Sequence, residues 1–198
     1  MRIAILGSGD VGTALGNGWS AAGHDVVYGS RSPEKQAGGD RKFDTMRGAI
    51  AHGEVVALAV PWDAVQSVLS ANNLSGKILI DCTNPIAPGF ELAVGCTTSA
   101  GEEVAKLAKG ARVVKAFNTT GFGNMREPRF GNTRLTMFYA GDDEAAKETV
   151  RRLIGDIGFE PIDAGPLKNA RYLEPMAMLW INLAMKMGLD IAFQLIQR

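Results

Sequence analysis

Cysteine and histidine are scarce, two of each in 198 residues, and that scarcity closes off several chemistries. Cys82 and Cys96 form no CxxC, and no histidine pair stands near them in the sequence. They read as ordinary thiols of a reducing compartment. His24 and His52 are far apart, which leaves neither a zinc site nor a Ser-His-Asp triad to assemble. Excess charge is missing as well. Lys plus Arg and Asp plus Glu each number 21, so no net field recommends a nucleic acid or an anionic membrane as partner. No apolar run reaches about 18 residues without a charge, so no membrane span is expected. Met1 opens directly onto an apolar segment with no charged leader, and a cytoplasmic location is the expectation.

What is present is an apolar fraction of 46%, enough for a real core, in a length that fits one domain with a small appendage. Arg2 to Leu6 is a short aliphatic strand, Asp10 to Ala22 a small-residue helix, and Asp25 to Tyr28 a second strand. This βαβ unit demands a parallel sheet. The alternation continues. Helical patterns cover 43–51, 61–71, 101–109 and 142–154. Strands cover 54–60, 77–80, 112–117, 135–140 and 159–162. The fold class that follows is α/β, a Rossmann-like doubly wound, mostly parallel sheet with a long C-terminal helix. The domain division is 1–165 for the nucleotide-binding domain and 166–198 for a helical extension. Ser32 to Asp40 and Phe122 to Asn132 are rich in Gly, Pro and charge and read as loops. From Pro175 to Arg198 a narrow polar stripe (Asn182, Lys186, Asp190, Gln194) crosses an otherwise apolar helix. Such a helix is suited to packing on the sheet or to a homodimer interface.

Gly7-Ser8-Gly9-Asp10-Val11-Gly12 is a GxGxxG that follows a strand and opens a helix. Gly7 makes the turn, Gly9 lets a pyrophosphate approach the backbone, and Gly12 lets the helix pack on the strand. The helix N-terminus supplies unpaired N–H groups and a positive dipole end. At the end of the second strand an NAD site carries an acid for the ribose hydroxyl. Here the chain has Ser30-Arg31 and then Lys35, a hydroxyl and two cations that suit a 2′-phosphate. Glu34 is expected to face solvent. The cofactor reading is NADP(H). Three further segments end strands on the same side. They contribute Ala59, Val60 and Pro61; Asn84; and Ala116 and Asn118, apolar and amide groups suited to a nicotinamide ring. No catalytic acid, base or nucleophile and no metal site is predicted.

These elements together resemble the coenzyme F420-dependent NADP oxidoreductases and the cytoplasmic domain of the STEAP metalloreductases. The resemblance is carried by Gly7 to Gly12, Gly29-Ser30-Arg31, Val60-Pro61-Trp62, Asp81 to Pro85 and Val114 to Asn118. Ile162 to Leu167 and Ala170-Arg171 extend it. It implies direct hydride exchange between NADPH and F420, or a flavin such as FMN or FAD, with the protein supplying position and electrostatics. The partners are then small-molecule cofactor substrates. Two alternatives stay open. One is a reductase of a small imine or hydroxy acid, for which Lys115 is the only candidate titrating group. The other is an NADPH-binding or sensing module without turnover.

Overall fold

The computed structural model describes residues 1–36 and 40–198, with the side chains of 35 and 36 excepted. Its centre is an eight-stranded sheet: β1 (Arg2–Leu6), β2 (Asp25–Ser30), β3 (Lys42–Thr45), β4 (Val55–Leu58), β5 (Ile78–Asp81), β6 (Arg112–Ala116), β7 (Thr136–Gly141) and β8 (Glu160–Asp163). Their spatial order is β3-β2-β1-β4-β5-β6-β7-β8. The first six are parallel throughout, and the chain reverses direction about β1, which is the doubly wound order. β7 pairs antiparallel with β6, and β8 parallel with β7. Two short hairpins, at 86–92 and 129–134, lie outside the sheet.

Among the described residues seven α-helices flank the sheet: α1 (Asp10–Ala21), α2 (Met46–His52), α3 (Trp62–Ser70), α4 (Ala100–Leu107), α5 (Phe122–Arg126), α6 (Glu144–Asp156) and α7 (Ala170–Met187). The pleat of β1 divides the interior in two. Ile3 and Ile5 join Leu15, Trp19, Val150 and Leu153 under α1 and α6, while Ala4 and Leu6 join Ile50, Val65, Leu69 and Val104 under α2 to α4. Trp19 ties the first layer together by donating its indole N–H to Leu153 O at 3.0 Å. Being covered on both faces, the central parallel strands β1, β4 and β5 are nearly continuous apolar runs, as such sheets require.

Four expectations change. The 43–51 segment is not one helix: Lys42–Thr45 forms the edge strand β3, and α2 begins only at Met46, where Thr45 Oγ1 accepts from Gly48 N at 3.1 Å. The 122–132 segment is not a plain loop but α5 followed by a hairpin strand. Pro175 lies inside α7 rather than at its start, and the helix ends at Met187 rather than Arg198. Gly188 turns the chain with a φ of 89°. The remaining residues run back as a tail, stitched down where Ile191 O accepts from Trp180 Nε1 (2.9 Å) and Asn124 Nδ2 (2.8 Å). Leu195 N donates to Thr136 Oγ1 at 3.0 Å, which anchors the tail beside β7.

Candidate functional site

All six parallel strands end on one side, and the strand order reverses beside β1, where sheets of this kind bind ligands. The sharp turn out of β1 uses Gly7 at φ 111°, conformation that disfavours a side chain, and a Cβ there would strike Ala59 O. A Cβ on Gly12 would strike Gly7 O, so glycine is what lets α1 start so close beneath the turn. Gly9 differs. A Cβ there meets nothing within 4 Å, and the space above the turn is open. Gly9 is the N-cap of α1, and among the described residues no side chain caps that helix. The first N–H groups of α1 therefore remain available to an anion.

A cleft of about 560 Å³ collects Gly7, Ser8, Gly9, Ser30, Arg31, Ala59, Val60 and Pro61 from three separate segments. Ser30 Oγ accepts from Ser32 N at 3.1 Å, which shapes the bend that presents Arg31. Arg31 is exposed and makes no ion pair among the described residues, and Glu34 is exposed. Met46, Asp63, Ala64 and Ser67 complete the wall. Lys35 lies outside the described side chains. Asp10 and Val11 form the first turn of α1, with Asp10 Oδ1 3.5 Å from Arg126 Nη2 on α5. That guanidinium offsets a carboxylate standing where an anion would approach.

A second hollow of about 590 Å³ adjoins the first at Pro61 and Asp63 and is floored by Asn84. Asn84 Nδ2 donates to Asn118 O at 2.9 Å, and Asn118 Nδ2 donates to Asn84 Oδ1 and Leu173 O, both at 3.1 Å. Asn118 thus spends both amide protons, while its buried Oδ1 has no partner among the described residues. Phe117 takes φ 62° at the end of β6 and packs its ring edge-on to Trp19. Ala116 is fully buried in the sheet and offers a ligand no surface; Asn118 is buried as well and braces Asn84, the side chain that lines the hollow.

Beneath this hollow, Lys115 contacts Asp81 and Glu174 in the interior, all three shielded from solvent. The carboxylates hold Lys115 above the usual lysine range, although burial alone would lower it. Cys82 next door is buried, and its thiol is pushed far up by desolvation, with Asp81 adding to the shift. Sequence reasoning missed Glu174, Arg126 and Asp63. For Glu174 a signal existed, since a lone acid on an apolar helix face and a lysine within a buried strand are each unexplained until paired. Among the described residues no group of three or more His, Cys, Asp or Glu could hold a metal, and no helix is long and apolar enough to cross a membrane.

Residues 2–85, which hold the Gly-rich turn and the lining of the Arg31 cleft, match the family model described as NADP oxidoreductase, coenzyme F420-dependent. The F420-dependent NADP reductase of Methanothermobacter marburgensis is 31% identical over 214 residues, spanning 94% of this chain and 93% of that protein. The chain belongs to this family. Its members are NADP-dependent oxidoreductases, and the fit of an open Gly9 turn to a pyrophosphate agrees with that. Metalloreductase STEAP3 of Rattus norvegicus is 33% identical over 97% of this chain, which spans only 40% of that longer protein. A solved structure from Arthrobacter sp. FB24, provisionally named an F420-dependent NADP reductase, superposes over all of both chains with a TM-score of 0.87 at 27% identity.

Proposed function

We propose that this chain exchanges a hydride between NADP(H) and a deazaflavin (F420) or flavin. The adenosine 2′-phosphate half would lie in the Arg31 cleft and the nicotinamide against the Asn84–Asn118 pair. When bound, NADP(H) supplies a hydride at its nicotinamide C4. The chain's own groups do the rest. Arg31 and Ser30 would hold the 2′-phosphate and the N–H groups of α1 the pyrophosphate, while Asn84, braced by Asn118, would face the nicotinamide.

The observation that carries this reading is the lining of the Asn84 hollow. Pro61, Trp62, Ile86, Ala87 and Ala93 make apolar walls, and Asp63 is its only titratable lining residue. A flat ring can be laid there, and among the described lining residues no lysine, histidine or tyrosine is placed to protonate a substrate. Reduction of an imine or a carbonyl needs such a proton source. The one lysine considered for it, Lys115, is buried and spends its protons on three interior partners. Exchange between two ring cofactors needs only alignment.

Stopped-flow mixing of the NADPH-loaded protein with F420, FMN and FAD tests the proposal. Loss of absorbance at 340 nm with at least one acceptor is expected. Tight NADPH binding with no oxidation by any of the three would overturn it in favour of a binding module.

A further inference from the structure

The charges where α4, α7, β5 and β6 converge do not cancel. Lys115 and Asp81 are fully buried and Glu174 is 1% exposed. Lys115 Nζ stands 2.9 Å from Asp81 Oδ2 and 3.1 Å from Glu174 Oε1, and it donates to Thr83 O at 2.6 Å. All four carboxylate oxygens accept. Asp81 Oδ1 takes Thr83 N at 2.9 Å and Thr83 Oγ1 at 2.7 Å. Glu174 Oε2 takes Ala100 N at 2.9 Å, and its Oε1 takes Gly101 N at 3.0 Å. Every one of these oxygens is met by an N–H, an ammonium or a hydroxyl, the arrangement that suits two carboxylates. Two carboxylates and one ammonium leave an excess of one negative charge. The N-terminus of α4, equivalent to about half a positive charge, balances only part of it.

Buried ionic clusters add little stability relative to well-packed apolar side chains, so this one calls for a reason beyond holding the fold. Its position supplies one. Lys115 grips the carbonyl of Thr83, the residue before Asn84. Asn118 grips the carbonyl of Leu173, the residue before Glu174. The uncompensated charge therefore sits directly behind the two asparagines.

We propose that Asp81, Lys115 and Glu174 form a buried anionic device that favours the oxidised, positively charged nicotinamide over the neutral reduced ring. The device thereby biases this chain toward giving hydride away from NADPH. This rests on the nicotinamide lying against Asn84 and Asn118. None of the three side chains touches the crevice; they are positioning residues that act through their field. For a separation of about 10 Å and an effective dielectric of about 20, one net charge partly offset by a helix end changes a binding ratio by about three- to tenfold.

Calorimetric titration with NADP⁺ and with NADPH tests this, on wild type and on Glu174→Gln, Asp81→Asn and Lys115→Gln, each checked for folding by circular dichroism. Removing either carboxylate is expected to raise Kd(NADP⁺)/Kd(NADPH) about three- to tenfold, whereas Lys115→Gln lowers it. Opposite signs separate a field from lost packing, which would weaken both nucleotides alike. A ratio within twofold of wild type in every folded variant, or movement in one direction by all three, overturns the inference. Should Lys115→Gln not fold, the two carboxylate variants must still raise the ratio for it to stand. Wild-type protein that binds neither nucleotide would instead overturn the placement of the nicotinamide, and the inference with it.

Discussion

Gly9 and Gly12 stand three residues apart in one motif, yet each is a glycine for a different reason. Gly12 is required by the protein itself, since a side chain there would meet the carbonyl of Gly7. Gly9 has ordinary extended backbone at φ −72°, ψ −170°, and open space where a side chain would go. Its bareness serves only whatever enters that space. Gly9→Ala should therefore leave the thermal midpoint within about 1 °C while weakening NADPH at least tenfold, a loss of about 1.4 kcal/mol. Gly12→Ala should destabilise the fold by about 1–3 kcal/mol through overpacking. Denaturant melts and calorimetric titration read the two effects separately. A Gly9 variant that binds NADPH normally would remove the pyrophosphate from this turn.

At the scale of elements, α7 is attached to α4 by Arg171, whose guanidinium donates twice to Glu102, at 2.8 and 2.7 Å. The hydrogen bond from Arg171 holds Glu102 below the ordinary glutamate value of 4.5, outweighing the opposing effect of its partial burial. A carboxyl whose folded pKa is depressed stabilises the fold above its unfolded value, and that contribution fades as pH falls through the folded one. Glu102→Gln should then cost about 0.5–1 kcal/mol at pH 7, as partly exposed pairs do, and almost nothing near pH 2. Melting curves of both proteins between pH 7 and 2 should converge on the acid side. A gap that stays constant with pH would show that the pair contributes packing and not charge.

Legibility in the sequence was also decided element by element. The strands buried on both faces are unbroken aliphatic runs, and the turn chemistry after β1 is local, so the doubly wound core could be read directly. β3 could not. Its four residues, KFDT, are mostly exposed at a sheet edge and carry no apolar run. The end of α7 was hidden for the opposite reason. The every-fourth-residue polar pattern persists past Gly188, but that stretch is a tail tied to α5 and β7 through Ile191 O and Leu195 N, with Leu189 and Ile196 exposed. Of the site, the Gly-rich turn, Arg31 and the two asparagines were visible because their chemistry is borne on single residues. The charged cluster was not, since Asp81, Lys115 and Glu174 become one object only when α7 closes over β5 and β6.

For the molecule as a whole, cofactor specificity should appear as a difference in global stability. A ligand that binds only the folded chain stabilises it by RT ln(1 + [L]/Kd), about 2.7 kcal/mol at one hundred times Kd. For a domain of this size each kcal/mol moves the midpoint by about 2–4 °C, so NADPH at that excess should raise it by about 5–10 °C. NADH at the same concentration should give clearly less. It lacks the 2′-phosphate that Arg31, exposed and unpaired with any described acid, is placed to meet. Arg31→Ala removes a charge-assisted contact of about 1.5–3 kcal/mol, which at fixed NADPH leaves only about 0.3–1.3 kcal/mol of stabilisation. The shift given by NADH should stay as it was. If differential scanning shows both nucleotides losing their effect equally in this variant, Arg31 acts on the shared part of the cofactor, and the selectivity for NADP(H) must come from elsewhere in the cleft.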